Sequence, residues 1–341
     1  EVSFGNYEVA EKLLFMTSRR EGFGDTLAYS ARAAEAGKYP AEALRYRMAV
    51  KGLMQSDPHD PRILKAFALG LAVATRGADH LRNRATLEIN ARINDDPAFK
   101  RALYGGEVSG LPTSYEGKEF AVRACEDTFA VGDSLGMCRF TTKLFNSPSL
   151  PGLEELAVQI ENVTGMTFTA AKLREVGLNI TGIERMINYG LGMRRADDTL
   201  PRRWFEEELQ WGAYQGEKID RDQFEALLTR FYAVSNLDDE GRPALDFRTK
   251  LAAVASGFAV SVRVPNAVRA LPGGGLVVTR PVANLRELKA AIESDVPGLG
   301  ALLADGAFNF VVNDEVILRR SDVAPLKSGD RVEIVVAMAG G

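Results

Sequence analysis

At 341 residues, with 46% hydrophobic and 26% charged side chains, the chain is long enough for two or three domains with sizeable cores. A net charge of −4 carried by mixed signs gives no electrostatic case for nucleic acid or an anionic membrane surface. The long apolar run Ala66 to Thr75 is about half of what a membrane span needs, and no secretory signal is read at the start.

In chain order, residues 1–250 read as helical. Asn6 is placed to cap a helix that carries Val9, Leu13, Leu14 and Met16 at near-helical spacing. Gly22 and Gly24 punctuate it, and Asp25 is expected to cap the next helix, through Leu27 and Ala31 to Gly37. Buried or amphipathic helices are expected over Arg62–Ala74, Leu153–Thr164, Ala170–Val176 and Asp222–Ala233, the last with Phe224, Leu227, Leu228 and Phe231 on one stripe. No alternating run predicts a sheet in this part. The pattern changes near residue 257. Val260, Val262 and Val264 alternate as in a half-buried strand. Gly273–Gly275 reads as a turn, with strands at Leu276–Val278, Phe308–Val312, Val316–Leu318 and Val332–Val336 and a helix at Asn284–Ser294. The chain therefore reads as a mainly α-helical region of several helices followed by a small α+β domain, with the boundary between 245 and 258.

Two cysteines, Cys125 and Cys138, and two histidines, His59 and His80, are present. That is too few cysteines for a disulfide framework and predicts a reducing, cytoplasmic setting. No Cys-x-x-Cys or His-x-x-x-His pattern occurs, so the chain alone does not supply an ordinary four-ligand zinc or iron–sulfur site. The segment Asp133-Ser134-Leu135-Gly136-Met137-Cys138 places a carboxylate and a thiol five residues apart around a glycine. A carboxylate can accept from a heterocycle N–H, a thiolate can ligate iron, and glycine lets the backbone turn close to a bulky ligand. The competing reading is an ordinary loop with a small buried cysteine. Gly273–Gly275 is not followed by Gly-Lys-Ser/Thr on a helix, so it reads as a hairpin turn and not a phosphate loop.

The C-terminal part resembles the β-grasp, ubiquitin-like sulfur carriers of molybdopterin and thiamine biosynthesis (MoaD/ThiS type) over 258–341. The residues that carry this are Val311-Val312-Asn313-Asp314-Glu315, then Pro325-Leu326-Lys327-Ser328-Gly329-Asp330-Arg331-Val332, then Gly340-Gly341. The resemblance implies that a ubiquitin-activating-type enzyme converts Gly341 to a thiocarboxylate. A frayed terminus and a vestigial or docking role are the competing readings.

In the helical part, Val50-Lys51-Gly52-Leu53, His59-Asp60-Pro61-Arg62, Ala74 to Arg82, Asp133–Cys138, Asp198-Thr199-Leu200-Pro201-Arg202-Arg203 and Phe231-Tyr232 followed by Leu237 to Pro243 stand in the order of one family. They resemble the C-terminal helical domains (2 and 3) of the tungsten-containing aldehyde ferredoxin oxidoreductases, over 1–250. The resemblance implies a tungsten (or molybdenum) ion on two molybdopterin dithiolenes beside a 4Fe-4S cluster, aldehyde oxidation to carboxylate, and electron transfer to ferredoxin. It places Asp133, Leu135, Gly136, Met137 and Cys138 at the cofactors, with Cys138 as a single cluster ligand. His80 is the candidate for proton exchange, against a structural role at a helix end. Arg76 and Arg82 are candidates for pterin phosphates, with surface solvation the preferred reading of Arg82; Cys125 reads as core and His59 as structural, and Asp79 has no assigned role.

Against the family pattern, the N-terminal β-rich domain, the Cys-x-x-Cys-x-x-x-Cys run and the first Asp-x-x-Gly motif are absent. The first helices are therefore expected to expose apolar faces, and truncation is preferred over a naturally split enzyme because Glu1-Val2-Ser3 holds no start signal. A homodimer or hetero-oligomer is compatible with this organisation. The alternative of another class is a carrier or scaffold protein of cofactor maturation with no catalysis of its own.

Overall fold

The computed structural model describes residues 3, 5–33, 36–56, 60–265, 275–299, 303, 308–317 and 322–336. His59, Gly273, Gly274, Leu318, Gly340 and Gly341 lie outside the described residues. Two compact units are formed. One runs to Glu184 and takes in Asn188–Ser235, and the other joins Arg185–Ile187 to the residues from Asn236 onward.

The first unit is helical. Asn6 caps α1 (Tyr7–Arg19), its Oδ1 accepting from Val9 N at 3.1 Å. α1 buries none of its residues, and Tyr7, Leu14 and Phe15 are exposed, as expected for the first helices. α2 (Phe23–Ala28) starts at Gly22, so Asp25 is not its cap. Asp25 sits in the first turn, where its carboxylate accepts from Arg20 and Lys38 and so answers the two cations that flank it. A second correction is a small ladder in this part: β1 (Ala49–Val50) pairs antiparallel with β2 (Leu53–Met54). Strands of two residues are too short to show an alternation.

α3 (Lys65–Val73) is buried throughout. Short helices α4 (Ala91–Asn94) and α5 (Pro97–Tyr104) follow, the latter capped by Asp96. α6 (Lys118–Ser134) was not legible from apolar spacing, because its buried face carries Lys118, Glu119, Glu126 and Asp127. Those charges are paired inside the fold: Arg123 reaches Glu126 at 2.9 Å and also Asp127. Next come α7 (Lys143–Asn146), α8 (Leu153–Thr164), α9 (Ala170–Gly190), α10 (Arg202–Glu206) and α11 (Arg221–Val234). α9 is much longer than the expected Ala170–Val176. It comes close to α6 at Gly177, where a Cβ would meet the Asp127 carbonyl oxygen at 2.3 Å, so only glycine fits there.

α3, α6 and α11 pack on one another around Phe67, Leu71, Leu200, Phe205, Ile219 and Phe224. A buried polar node holds several family-like segments to this core. Lys51 Nζ lies 2.6 Å from Asp198 Oδ1, with both side chains almost fully buried. Tyr232 Oη donates to Asp198 Oδ2 at 2.7 Å. Gly77, at φ +101°, has no Cβ to strike the Val50 carbonyl, which would lie 2.5 Å away. The lysine, glycine, aspartate and tyrosine of four separated segments thus fix the start of the 74–82 loop.

The second unit opens with α12 (Leu245–Ser256). It continues with β3 (Val260–Arg263), β4 (Gly275–Val278), α13 (Leu285–Asp295), β5 (Phe308–Val312), β6 (Glu315–Ile317) and β7 (Arg331–Val336). Strand order is β4-β3-β7-β5-β6, with β3 and β7 parallel and the other neighbours antiparallel. That mixed sheet with α13 is the expected β-grasp. Val260, Val262, Leu288, Ile292, Val332 and Ile334 form its core. Gly275 belongs to β4 and not to a turn, opposite Arg263.

Asp127 gives the first unit a testable pH response. Burial raises its carboxyl from 3.8 to about 6, against the pull of Arg123. The folded chain then holds this proton more tightly than the unfolded chain between those values, so this group's contribution to stability falls as pH rises from about 4 to about 6. The difference is about 3 kcal/mol. Urea midpoints of Asp127→Asn should gain on the parent chain as pH rises through this window; a constant offset would refute the assignment.

Candidate functional site

The Asp133–Cys138 segment is the end of a helix. Asp133 and Ser134 close α6, and Gly136 at φ +68° turns the chain. Gly136 N donates to the Asp133 carbonyl at 3.1 Å and Met137 N to the Gly132 carbonyl at 2.9 Å, the two bonds of a Schellman cap. A Cβ at Gly136 would meet nothing within 4 Å, so the glycine is needed for its backbone angle and not for close approach. Met137 packs on the cluster of Val131, Leu153, Leu156 and Leu173. Leu135 stays exposed. The cap therefore turns the chain so that Cys138, an exposed free thiol, follows directly on the anchored Met137.

Asp133 sits where the helix dipole disfavours an anion. Two buried guanidiniums compensate. Arg82 Nη1 donates to Asp133 Oδ2 at 2.9 Å, and Arg139 Nη2 pairs with the same oxygen. Among the described residues no donor reaches Oδ1, and the Asp133 side chain is 44% exposed. Arg139 lies over the Phe129 ring, and Gly132 leaves room for its Nη1, which is buried without a partner. Burial works against the Arg139 charge, and Asp133 restores it.

The same arginines bind the 74–82 loop to this helix end. Arg139 Nε donates to the Leu81 carbonyl at 2.8 Å. Arg82 Nη2 also reaches both oxygens of Glu184 on α9, at 2.7 and 2.6 Å. Thr75 Oγ1 donates to Glu184 at 2.6 Å, and Asn188 Nδ2 to the Thr75 carbonyl at 2.8 Å. Arg82 is buried in two ion pairs, so the expectation that it is solvated is corrected: its partners lie on distant helices. Arg76 is exposed and pairs with Asp79, whose Oδ1 accepts from Leu81 N at 2.9 Å. His80 is half-buried, with Nδ1 3.3 Å from Ser56 Oγ.

The structure thus brings the His80 loop against the Asp133–Cys138 turn. Arg139, Glu184, Thr75 and Asn188 were not anticipated; Arg139 follows Cys138 directly, but nothing local marks the α9 pair. Cys125 is buried, its thiol pushed up by burial, as a core residue should be. Among the described residues no group of three or more His, Cys, Asp or Glu could hold a metal ion. No helix among them is long and apolar enough to cross a membrane.

The residues present fit one edge of a larger centre. One accessible thiol and one carboxylate oxygen open to a donor stand at one helix end, above a clamp of two buried arginines.

Comparison with known proteins agrees with the sequence reading. A model of aldehyde ferredoxin oxidoreductase, domains 2 and 3, matches residues 1–252, and one of the ThiS family matches 262–341. The chain is 28% identical over 247 residues to a tungsten-containing aldehyde ferredoxin oxidoreductase of Pyrococcus furiosus, covering 70% of this chain and 36% of the relative. It is 26% identical over 247 residues to the protein of the same description in Thermococcus kodakarensis, with 70% and 36% coverage. The chain thus spans about a third of the length of these curated relatives. A solved structure, the active site complex BamBC of benzoyl coenzyme A reductase with 1,5-dienoyl-CoA, aligns with TM-score 0.52 at 19% identity, covering 73% of this chain and 39% of that one. This likeness is one of fold.

Two outcomes follow from the geometry. A thiol reagent such as Ellman's should titrate Cys138 rapidly in the native chain and Cys125 only after denaturation, and Cys138→Ser should abolish the fast phase. Two fast thiols, or none, would contradict the placement. Arg82→Met should cost about 2 kcal/mol or more in urea unfolding, because two carboxylates lose a charged donor; an unchanged midpoint would mean the ion pairs contribute nothing.

Proposed function

This chain belongs to the aldehyde ferredoxin oxidoreductase family, and we propose that it is the C-terminal portion of a tungsten (or molybdenum) enzyme oxidising aldehydes to carboxylic acids, with ferredoxin as electron acceptor. The observation that carries the reading is the capped end of α6, where an exposed thiol and a half-open carboxylate stand five residues apart under two buried arginines. Oxidation of an aldehyde consumes one water and releases two electrons together with protons.

In this reading Cys138 supplies one thiolate to a 4Fe-4S cluster, and Asp133 Oδ1 accepts from an N–H of a molybdopterin ring. Leu135, Gly136 and Met137 form the turn that faces the pterin, and Arg76 is the cation for a pterin phosphate. When bound, the metal–pterin centre supplies the two-electron chemistry and the cluster relays single electrons. The chain's own task is positioning. Arg82 and Arg139 both bind Asp133 Oδ2 and so fix the orientation of the carboxylate. Packing of Met137 sets where Cys138 projects. His80, on the loop tied to this helix end, exchanges the proton as water adds, since imidazole is the side chain suited to that near neutral pH. A cytoplasmic setting suits a cluster-ligating thiol.

A second reading applies to the β-grasp unit and rests on its strand order and its ThiS match. The Gly340–Gly341 carboxylate, outside the described residues, would be adenylated by an activating enzyme and receive sulfur as a thiocarboxylate, which makes the chain a carrier or scaffold in cofactor maturation.

The two separate experimentally. In the complete, cofactor-loaded enzyme, Cys138→Ser should remove the cluster's paramagnetic signal. Asp133→Asn should lower aldehyde-dependent dye reduction about 10- to 100-fold. Full activity with normal iron content in both variants would refute the oxidoreductase roles. For the carrier reading, incubation with an activating enzyme and a sulfur donor should exchange one oxygen for sulfur in the C-terminal peptide, read by mass spectrometry; an unchanged mass refutes it.

A further inference from the structure

On the reading of Asp133 as the acceptor of a pterin N–H, we infer that Glu184 is a positioning residue for it. Glu184 holds one arm of Arg82 on α9 and thereby keeps Asp133 Oδ1 free for the ligand.

A guanidinium prefers to meet a carboxylate with two parallel N–H groups, one on each oxygen. Arg82 does not treat Asp133 in this way. Its Nη1 donates to Asp133 Oδ2 at 2.9 Å, while its Nη2 lies between the two oxygens of Glu184, at 2.7 and 2.6 Å. Arg139 pairs with the same Oδ2, and its Nε is committed to the Leu81 carbonyl. Asp133 is thus held through one oxygen by two arginines, and among the described residues no donor reaches the other.

The charges balance only when Glu184 is counted. The Arg82 and Arg139 side chains are 9% and 6% exposed. Arg76, the other arginine of the loop, is taken by Asp79. Asp133 and Glu184 are the two carboxylates that answer the two buried guanidiniums. Without Glu184, Nη2 of Arg82 loses both of its acceptors. The carboxylate that Arg82 still touches then has one oxygen open, and a two-point contact closes it.

Glu184 is itself placed by helix packing. Gly177 admits the α6 backbone, and Arg123 Nη2 on α6 donates to Thr181 Oγ1 at 2.9 Å. One turn apart, Glu184 and Asn188 then grip Thr75. The Thr75 hydroxyl donates to Glu184 Oε2 at 2.6 Å, and Asn188 Nδ2 donates to the Thr75 carbonyl at 2.8 Å. The hydroxyl fixes the Glu184 carboxylate in its contact with Arg82.

A crystal structure of the full chain carrying Glu184→Met tests the geometry without any cofactor. Arg82 should meet Asp133 through both oxygens; an Arg82 left in place with Oδ1 open would overturn the inference. In the complete, cofactor-loaded enzyme, Glu184→Met should lower the pterin released per chain, and aldehyde-dependent dye reduction about 10- to 100-fold. Adding Arg82→Met should recover part of both, because Oδ1 opens again while Arg139 still holds Oδ2. The melting temperature of this double variant should equal or exceed that of Glu184→Met, since no orphaned guanidinium remains. A merely structural Glu184 would make the double variant worse than the single one on every readout, which would also overturn the inference. Closure of Arg82 on Asp133 with pterin content and turnover intact, in Glu184→Met and Asp133→Asn alike, would instead retire the pterin reading and leave the arginine geometry standing.

Discussion

The arrangement of the candidate site depends on one constraint: two buried arginines must share the carboxylate of Asp133 at the C-terminal end of α6. A helix end of that polarity repels an anion, and two buried guanidiniums in one place repel each other. Each problem is solved by the other. The carboxylate neutralises the cations, and the cations hold it against the dipole. Arg82 then extends the network to Glu184 on α9, and Arg139 extends it to the Leu81 carbonyl. The result is a rigid junction of the helix end, the 74–82 loop and a second helix. Such a junction presents Cys138 and His80 from fixed backbone, which is what a site holding a large cofactor requires.

The same logic recurs in the interior of the first unit. Lys51, Asp198 and Tyr232 form a buried node under the loop, and Arg123, Glu126 and Asp127 another along α6. Buried ion pairs contribute little net stability compared with apolar packing, but removing one partner is expensive. Asp198 ties the Lys51 turn to Tyr232 on α11, whereas the Arg123 pairs lie within α6 and neutralise its buried face. The family-like segments Lys51-Gly52, Gly77, Asp198 and Tyr232 owe their pattern to this architecture. Catalysis does not have to account for them.

What was legible in the sequence follows from range. Local signals read true: Asn6 as a cap, α8 at Leu153–Thr164, the amphipathic stripe of α11 and the alternation of β3. Asp133–Cys138 is legible as a motif but not as a helix end, because the helix before it hides its period behind buried charges. The partners of Asp133 and Arg82 stand 51 and 102 residues away in the chain, so no local pattern shows them. For the same reason Arg82 reads as a solvated residue although it is buried. Asp25 illustrates the reverse error: a good capping residue was drawn instead to two nearby cations.

The central claim is that the turn after α6 exists to aim one thiol at a metal centre. An iron-edge anomalous difference map of the complete, iron-loaded enzyme tests it directly. The account predicts an iron peak bonded to Cys138 Sγ, with Asp133 still clamped by Arg82 and Arg139. Iron bound elsewhere, with that thiol in bulk solvent, would contradict it.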